Sequence, residues 1–438
     1  MRTFSDLISR LRNNSLFKDS FWAVGGNGIG NALMLFSGIF IARTIGKDLY
    51  GEYGMVKTTM FLMALFSTFA LGDTSTKFIA EYIQKDVSFI RKIIHASFRI
   101  SFVCSATLCV LLVIFSKKLA VFINTPQLEE AFKFLGIIIV FRSINTVGAG
   151  ILGGFKAYKK LGINNIIAGV TMLTLAIPGT LYWSLYGALC ALLLSQVTLS
   201  ILNTYQVYKF SKMYLIPNVP KGSFEKELLL FSYPFALNEL VYSLSSWGCS
   251  LLVAKYATIG DLGMLSACNQ WNAIILFMPG LLGNVVLSYL STTAVSNMST
   301  HKMIIRRMLI VNFVCTFIPF VMVIMASGYI ADYYGPTFKG MEMVLGIKVL
   351  CTIFMCLTRV YQSNLMSEGK KWLAFYIRSS YNILDLLLTY IVLLVTDGRN
   401  AAINLSWSSL FICAISLLLY SFFYHYSNRK ETHNLIAV

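Results

Sequence analysis

The stretch Phe21–Gly54, FWAVGGNGIGNALMLFSGIFIARTIGKDLYGEYG, decides the fold. From Phe21 to Ala42 it carries no charge, and about twenty apolar residues are enough for a helix to cross a bilayer. Its first half is crowded with Gly25, Gly26, Gly28 and Gly30, beside Asn27 and Asn31. The two asparagines are four apart and share one helix face. Lipid cannot satisfy an amide, so that face is expected to look at protein or at a wet cavity. Gly26 and Gly30 have the small-xxx-small spacing that lets a second helix approach closely. After Ala42-Arg43 a short polar turn, Ile45 to Gly51, precedes the next apolar run. An ordinary glycine-bearing membrane helix would look much the same in isolation; what sets this one apart is its echo later in the chain.

Working outward, apolar runs of similar length recur to the end of the 438 residues. The chain is 57% hydrophobic and 13% charged, with a mean hydropathy of +0.69. This is the composition of an all-α polytopic membrane protein. Strands of a membrane barrel would alternate in shorter segments. Spans are expected near 21–42, 55–75, 97–115, 132–154, 163–182, 187–208, 228–253, 264–290, 308–330, 342–363, 373–395 and 401–424, about twelve in all. The domain reading is a 1–20 amphipathic cytoplasmic N-terminus, where Phe4, Leu7, Ile8 and Leu11 fall at helical spacing among Arg2, Arg10 and Arg12. A six-helix bundle over 21–208 follows, then a cytoplasmic linker over 209–227 with Pro217, Pro220 and Gly222. A second bundle over 228–424 and a cytoplasmic tail over 425–438 complete the chain.

The net charge of +17 is carried in the loops between spans. Membrane topology explains it more cheaply than nucleic-acid binding, so no nucleic-acid partner is expected. With the N-terminus inside, most of the 36 basic residues fall on the inner side, which places both termini in the cytoplasm. The nine cysteines are scattered singly in apolar runs and read as small core residues. The first apolar run is too long for a cleavable signal.

The halves repeat. Pro126 with Leu135-Gly136-Ile137 matches Pro336 with Leu345-Gly346-Ile347. Leu71-Gly72-Asp73 matches Leu282-Gly283-Asn284, Lys159-Lys160 matches Lys370-Lys371, and Ala42-Arg43 matches Ala254-Lys255; Ile45-Gly46 is echoed by Ile259-Gly260. Six spans per repeat is an even number, so the bundles share one orientation and are related by a pseudo-twofold along the membrane normal.

A charge near the bilayer centre costs about 2.5–3.5 kcal/mol on insertion scales, so it marks a cavity or a partner. Arg142 lies mid-span next to Ser143, Asn145 and Thr146, and either lines a cavity or belongs to a structural ion pair. Glu239 follows Asn238 in the seventh span and has no partner within two turns of its own helix. Asp385 lies in the eleventh span with Arg378 seven residues before it, so the two either pair or serve separately. Lys348 and Arg359 share the tenth span. Asp73 and Lys77 close the second, while Lys57, Lys77 and Lys255 have the reach to snorkel to the interface. Asn269, Gln270 and Asn272 form a polar cluster in the eighth. The intramembrane charge leans positive, which suits an anionic passenger such as a phosphate or pyrophosphate.

There is no GxxxxGK[ST], no HExxH and no GxSxG. An enzyme reading has little to stand on, and no cofactor or metal is expected.

A first span rich in Gly and Asn, then Ala42-Arg43-x-x-Gly46-x-x-x-Tyr50-Gly51-x-Tyr53, resembles the start of bacterial polysaccharide transporters. So do Leu71-Gly72-Asp73 and the Gly153-Gly154-Phe155 that precedes Lys159-Lys160. These are O-antigen (O-unit) flippases of Wzx type, in the superfamily that also holds lipid II flippases and the multidrug (MATE) antiporters. The resemblance implies two six-helix bundles in a V, alternating access, and residence in the bacterial inner membrane. It also implies an undecaprenyl-pyrophosphate-linked oligosaccharide as cargo, coupling to an H+ or Na+ gradient, and, besides membrane lipids, a polysaccharide polymerase and a chain-length regulator as partners. On that reading Arg142, Arg359, Arg378, Lys348, Asn27, Asn31, Asn269, Gln270 and Asn272 bind cargo. Glu239, Asp385, Asp73, Lys77 and Arg43 are the coupling or gating candidates. Lipid II flippases usually carry additional spans and more arginine in the first helix, where this chain has only Arg43. Drug antiporters commonly depend on acids inside the first bundle, where this chain has none at mid-membrane. The other readings are an ion-coupled exporter of cationic drugs and a membrane glycosyltransferase.

Overall fold

The computed structural model describes residues 15–213, 224–280, 298–368 and 370–436. The expected surface helix before residue 15, most of the expected linker and the Leu282-Gly283-Asn284 anchor lie outside these residues. All described regular structure is helical: α1 (Ser15–Thr68), α2 (Leu71–Lys85), α3 (Ile90–Phe122), α4 (Glu129–Gly154), α5 (Tyr158–Lys212), α6 (Glu225–Tyr256), α7 (Ile259–Ile275), α8 (Met298–Tyr334), α9 (Met341–Ser367), α10 (Lys371–Val395) and α11 (Ala401–Ile436). Eight of the eleven are long and apolar enough to cross a bilayer.

Two of the helices are each two spans. In α1 the path breaks at Gly46, whose φ of 77° and ψ of 171° suit a residue without a Cβ. In α5 it breaks at Ser184, with φ 49° and ψ −124°. Splitting both turns the eight into ten legs; α2, α6 and α7 are further helices, and the total is consistent with the about twelve expected from the apolar runs.

The chain divides into two compact units. Unit 1 holds the residues up to Ile45 and Glu52–Leu244; unit 2 holds Gly46–Gly51 and Ser245 onward. In unit 1, α1 lies against the first leg of α5 through glycine. A Cβ on Gly26 would fall 2.5 Å from the Gly162 Cα, and one on Gly30 would fall 2.8 Å from the Asn165 carbonyl oxygen. Helices that meet backbone to backbone gain dispersion contact, the main source of association where lipid removes the hydrophobic drive. The Gly26/Gly30 spacing serves that contact. Likewise a Cβ on Gly150 of α4 would collide with the backbone of Gly72 in α2. A core of Leu71, Ile79, Ile93, Val147, Ile151 and Leu228 fills the space around α2, α3, α4 and α6. Beside it Phe78, Tyr82, Phe89 and Phe224 form an aromatic box with ring centroids 5.3 to 6.2 Å apart.

In unit 2 the Gly46–Gly51 turn sits against α7. A Cβ on Gly51 would meet the Ile259 carbonyl oxygen, and Tyr50 meets Phe338 edge-on at 6.2 Å. The buried clusters Ile305/Val360/Tyr424 and Leu365/Ala374/Ile377/Tyr420 join α8, α9, α10 and α11.

The internal repeat has a structural counterpart. Pro126–Leu128 and Pro336–Phe338 are both single 3₁₀ turns that lead into helices, α4 and α9. Proline suits both, since a first helical residue has no use for its N–H. Gly136 lies against Cys109 of α3, and Gly346 against Ile324 of α8, so the same register glycine seats the preceding helix in each half.

Candidate functional site

Arg142 stands on α4, half-buried, with its guanidinium over the Phe61 ring at 5.5 Å from the centroid. Lys57, one turn before Phe61 on the second leg of α1, is close enough for its charge to feel that of Arg142. Its ammonium lies 5.4 Å from the centroid of the Tyr53 ring. Among the described ion pairs neither cation has an acidic partner. Two like charges held together without a counter-ion cost energy, and an anion bridging both would relieve it. The sequence marked Arg142 but treated Lys57 as a residue able to reach the interface. The pairing depends on α1 and α4 lying side by side, which no local signal carries.

Behind Arg142 runs a line of buried amides. Asn164 Nδ2 donates to Asn203 Oδ1 at 2.8 Å, Asn203 Nδ2 to Asn145 Oδ1 at 2.6 Å, and Asn145 Nδ2 to Gln196 Oε1 at 3.3 Å. All four side chains are buried. The line ties both legs of α5 to α4, next to Ser143, which meets Ser67 of α1. The sequence places Asn145 beside Arg142 in the same span. Asn164, Gln196 and Asn203 carry the same signal, an amide inside an apolar run, and went unused.

The other expected residues of unit 1 fall in two places. Asn27 accepts a hydrogen bond from Asn165 of α5, so it is a helix-contact residue, while Asn31 one turn on is exposed. Arg43 is exposed three residues before the Gly46 break. At the far end of unit 1 the carboxylates of Asp73 on α2 and Glu239 on α6 are electrostatic neighbours. Lys77 stands 3.7 Å from the centroid of the Phe231 ring on α6, and Thr74 shares a 2.8 Å hydrogen bond with Ser232. These contacts join α2 to α6.

In unit 2, Asp385 on α10 is half-buried and has Lys348 of α9 as its neighbouring charge, not Arg378. Two turns along a helix brings residues to one side but about 10 Å apart along the axis, and Arg378 instead lies near the Tyr420 hydroxyl. Lys348, expected in a cargo cavity, donates to Ser409 Oγ of α11 at 2.8 Å. Arg359 is exposed, with its guanidinium 3.5 Å from where a Cβ on Gly280 would be. On α7, Asn269 is exposed, while Gln270 Oε1 and Asn272 Oδ1 are buried acceptors with no donor among the described residues. Among the described residues no three His, Cys, Asp or Glu side chains gather as a metal site.

A model of the polysaccharide biosynthesis protein family matches residues 16–287. The EPS I polysaccharide export inner membrane protein EpsE of Ralstonia solanacearum is 26% identical over 176 residues, which is 39% of this chain and 39% of that one. The chain thus matches about two-fifths of the length of that curated relative. Among solved structures, an inward-facing multidrug resistance MATE family transporter of the MOP superfamily superposes with a TM-score of 0.77 at 13% identity, covering 94% of this chain and 99% of that one. The lipid II flippase MurJ in its inward closed conformation gives 0.71 at 13% identity, over 91% and 86%. At such identities the likeness is one of fold, and the fold is that of the MOP superfamily.

Proposed function

The chain belongs to the polysaccharide biosynthesis protein family, and we propose that within it this protein is a flippase for a lipid-linked oligosaccharide. The observation that carries the reading is the Arg142–Lys57 pair: two cations on adjacent membrane legs, Arg142 near enough for its charge to act on Lys57, and neither with an acidic partner among the described ion pairs. A pyrophosphate offers oxygens to two cations at once, and a guanidinium binds phosphate oxygens bidentately. Phe61 and Tyr53 supply aromatic faces beside the charges. Within unit 2, the Gln270 and Asn272 oxygens, with no donor among the described residues, are acceptors of the kind that sugar hydroxyls satisfy.

In this proposal the cargo is an undecaprenyl-pyrophosphate-linked repeat unit of a surface polysaccharide. It passes from the inner to the outer leaflet of the inner membrane by alternating access. Both termini are cytoplasmic, an ion gradient of H+ or Na+ drives the cycle, and a polymerase and a chain-length regulator receive the product. The likeness to the Ralstonia polysaccharide export inner membrane protein supports the cargo class.

The test is translocation of a fluorescent polyprenyl-pyrophosphate oligosaccharide in proteoliposomes. Charge-assisted hydrogen bonds are worth about 1.5–3 kcal/mol, so Arg142→Ala should slow transport at sub-saturating cargo by about 10- to 150-fold, with Arg142→Lys in between. Equal rates in all three would remove the head-group role. A second reading, export of cationic drugs, draws on the neighbouring Asp73 and Glu239 carboxylates. It requires dye export that survives Arg142→Ala and fails in Glu239→Gln.

A further inference from the structure

One corner of unit 1 is cationic without compensation. No Asp or Glu stands between Glu130 and Glu225, so every charged side chain in the rest of α4 and in the whole of α5 is a lysine or an arginine. Four of them, Lys156, Lys160, Lys209 and Lys212, belong to one end of the unit. Phe155 stacks on Phe210 with ring centroids 5.6 Å apart, which joins the end of α4 to the end of α5. The two legs of α5 fold back on each other at Ser184, where Gly179 meets Gly187 backbone to backbone. The Asn164–Asn203 hydrogen bond sets their register. At about 1.5 Å per residue, Lys160 stands about 6 Å and Lys209 about 9 Å from that bond, towards the same end.

Lys156 lies in the turn between α4 and α5. Its N–H bonds to the Gly153 carbonyl at 2.9 Å and the Ala157 N–H to the Leu152 carbonyl at 2.9 Å, with Lys156 at a φ of 56°. Glycine is the usual residue at this place in a helix cap, so the lysine is kept at a backbone cost, and its side chain is exposed. Other cations at this end of the unit have acids: Lys85 pairs with Glu81, and Arg99 with Glu225. None of the four corner lysines takes part in a described ion pair. Cations within a Debye length of each other, about 10 Å at 0.1 M salt, attract an anion jointly.

From this corner the second leg of α5 presents an outer face. Tyr208, Tyr205, Ile201 and Leu194 are 57, 60, 62 and 45% exposed, and their spacing of three, four and seven residues puts them on one side of the helix. The Lys212 ammonium lies 4.5 Å from the centroid of the Tyr208 ring. Cation, then tyrosine, then aliphatic side chain is the order in which a phospholipid presents its phosphate, its glycerol esters and its acyl chain. A free phosphate would use only the first of these.

We propose that this corner is a binding site for an anionic phospholipid, with Lys156, Lys160, Lys209 and Lys212 on the phosphate and the Tyr208–Leu194 face along an acyl chain. In the orientation proposed above, the site draws on the inner leaflet. It is separate from the Arg142–Lys57 pair, and its test needs neither cargo nor transport.

The experiment follows thermal unfolding of the full chain in detergent as dioleoyl phosphatidylglycerol or dioleoyl phosphatidylcholine is added. The wild type should show a saturable upward shift in Tm with phosphatidylglycerol, weakened by salt, and none with phosphatidylcholine. Each lysine near an anionic lipid should be worth about five-fold in apparent affinity, so Lys156→Gln/Lys160→Gln/Lys209→Gln should need about 100-fold more lipid for the same shift. Lys302→Gln/Arg306→Gln/Arg307→Gln loses the same charge elsewhere and should stay within about three-fold of the wild type. An equal shift from phosphatidylcholine overturns the proposal. So does equal weakening in the control variant, which would reduce the effect to net charge, or an equal shift from glycerol phosphate alone, which would make this a site for free phosphate. If the triple variant does not fold, Lys209→Gln, an exposed position, decides alone: a loss of about five-fold supports the site and an unchanged affinity refutes it.

Discussion

Asn203 is the residue whose loss is most informative about how this protein holds together. It is the middle of the amide line, accepting from Asn164 at 2.8 Å and donating to Asn145 at 2.6 Å, with 1% of its surface exposed. Asn203→Ala removes two interhelical hydrogen bonds and leaves the Asn164 Nδ2 donor and the Asn145 Oδ1 acceptor without partners. Interhelical side-chain bonds in bilayer proteins are worth about 0.6 kcal/mol on average and about 1.7 at most. Two of them put the expected cost at about 1–3 kcal/mol, with a small cavity included. Asn164→Ala, at the end of the line, breaks one bond and should cost about half as much. Because both changes remove the same Asn164–Asn203 bond, the double variant should cost less than the sum by about 0.6–1.7 kcal/mol. The assay is reversible unfolding in mixed micelles, followed by far-UV circular dichroism. Additivity within about 0.5 kcal/mol would refute the line as a coupled unit. So would an Asn203→Ala no costlier than Asn31→Ala, whose side chain is exposed.

Gly150→Ala should lower stability by about 1–3 kcal/mol, since its methyl would strike the Gly72 backbone and push α4 from α2; Gly25→Ala, with nothing within 4 Å, should be neutral or slightly stabilising. A comparison of Tm values checks both. Phe231→Leu should cost about 0.5–2 kcal/mol through the lost Lys77 contact at 3.7 Å, and Lys77→Met in the Phe231→Leu background should then be silent. In the loop after α2, hydrogen bonds from the Ser88 hydroxyl and amide hold the Asp86 carboxyl below its ordinary value. Its turn is thus fully formed above the ordinary carboxylate range and loosens as pH falls through the lowered value. Hydrogen exchange at the Ser88 amide should speed up on acidification in the wild type and be flat with pH, after correction for intrinsic rates, in Asp86→Asn.

The fold was legible because two kinds of signal agree along the chain. Apolar run length gave the legs, and glycine with proline gave their junctions. Gly46 breaks α1 where the polar turn stood, and Pro126 and Pro336 open equivalent helices. The break at Ser184 carried no such mark, since serine has no preference for its φ of 49°. Gly26 and Gly30 were legible for the same reason as the legs: spacing on one helix determines what that helix can offer. It does not determine the partner, and the partners, Gly162 and Asn165, lie some 135 residues on.

The charges show the limit of that logic most clearly. Arg378 and Asp385 are seven apart on one helix, the one relation that a sequence displays, and a pairing between them was among the readings. Asp385 has Lys348 for its neighbour because α9 and α10 are antiparallel across a short turn, so residues far from that turn on either helix come level with each other. The same holds for Lys57 and Arg142, drawn from α1 and α4. In both cases the sequence identified a costly charge and the tertiary arrangement gave it a different kind of neighbour: an acid for Lys348, a second cation for Arg142. That difference separates the two sites chemically. A lysine whose neighbouring charge is a carboxylate has less to offer an anionic passenger than two neighbouring cations, whose repulsion an anion would relieve. The positive lean of the membrane charges therefore does not describe one cationic lumen. It falls into two groups: Lys348, whose neighbouring charge is an acid, and Arg142 with Lys57, the group on which the proposed head-group role rests.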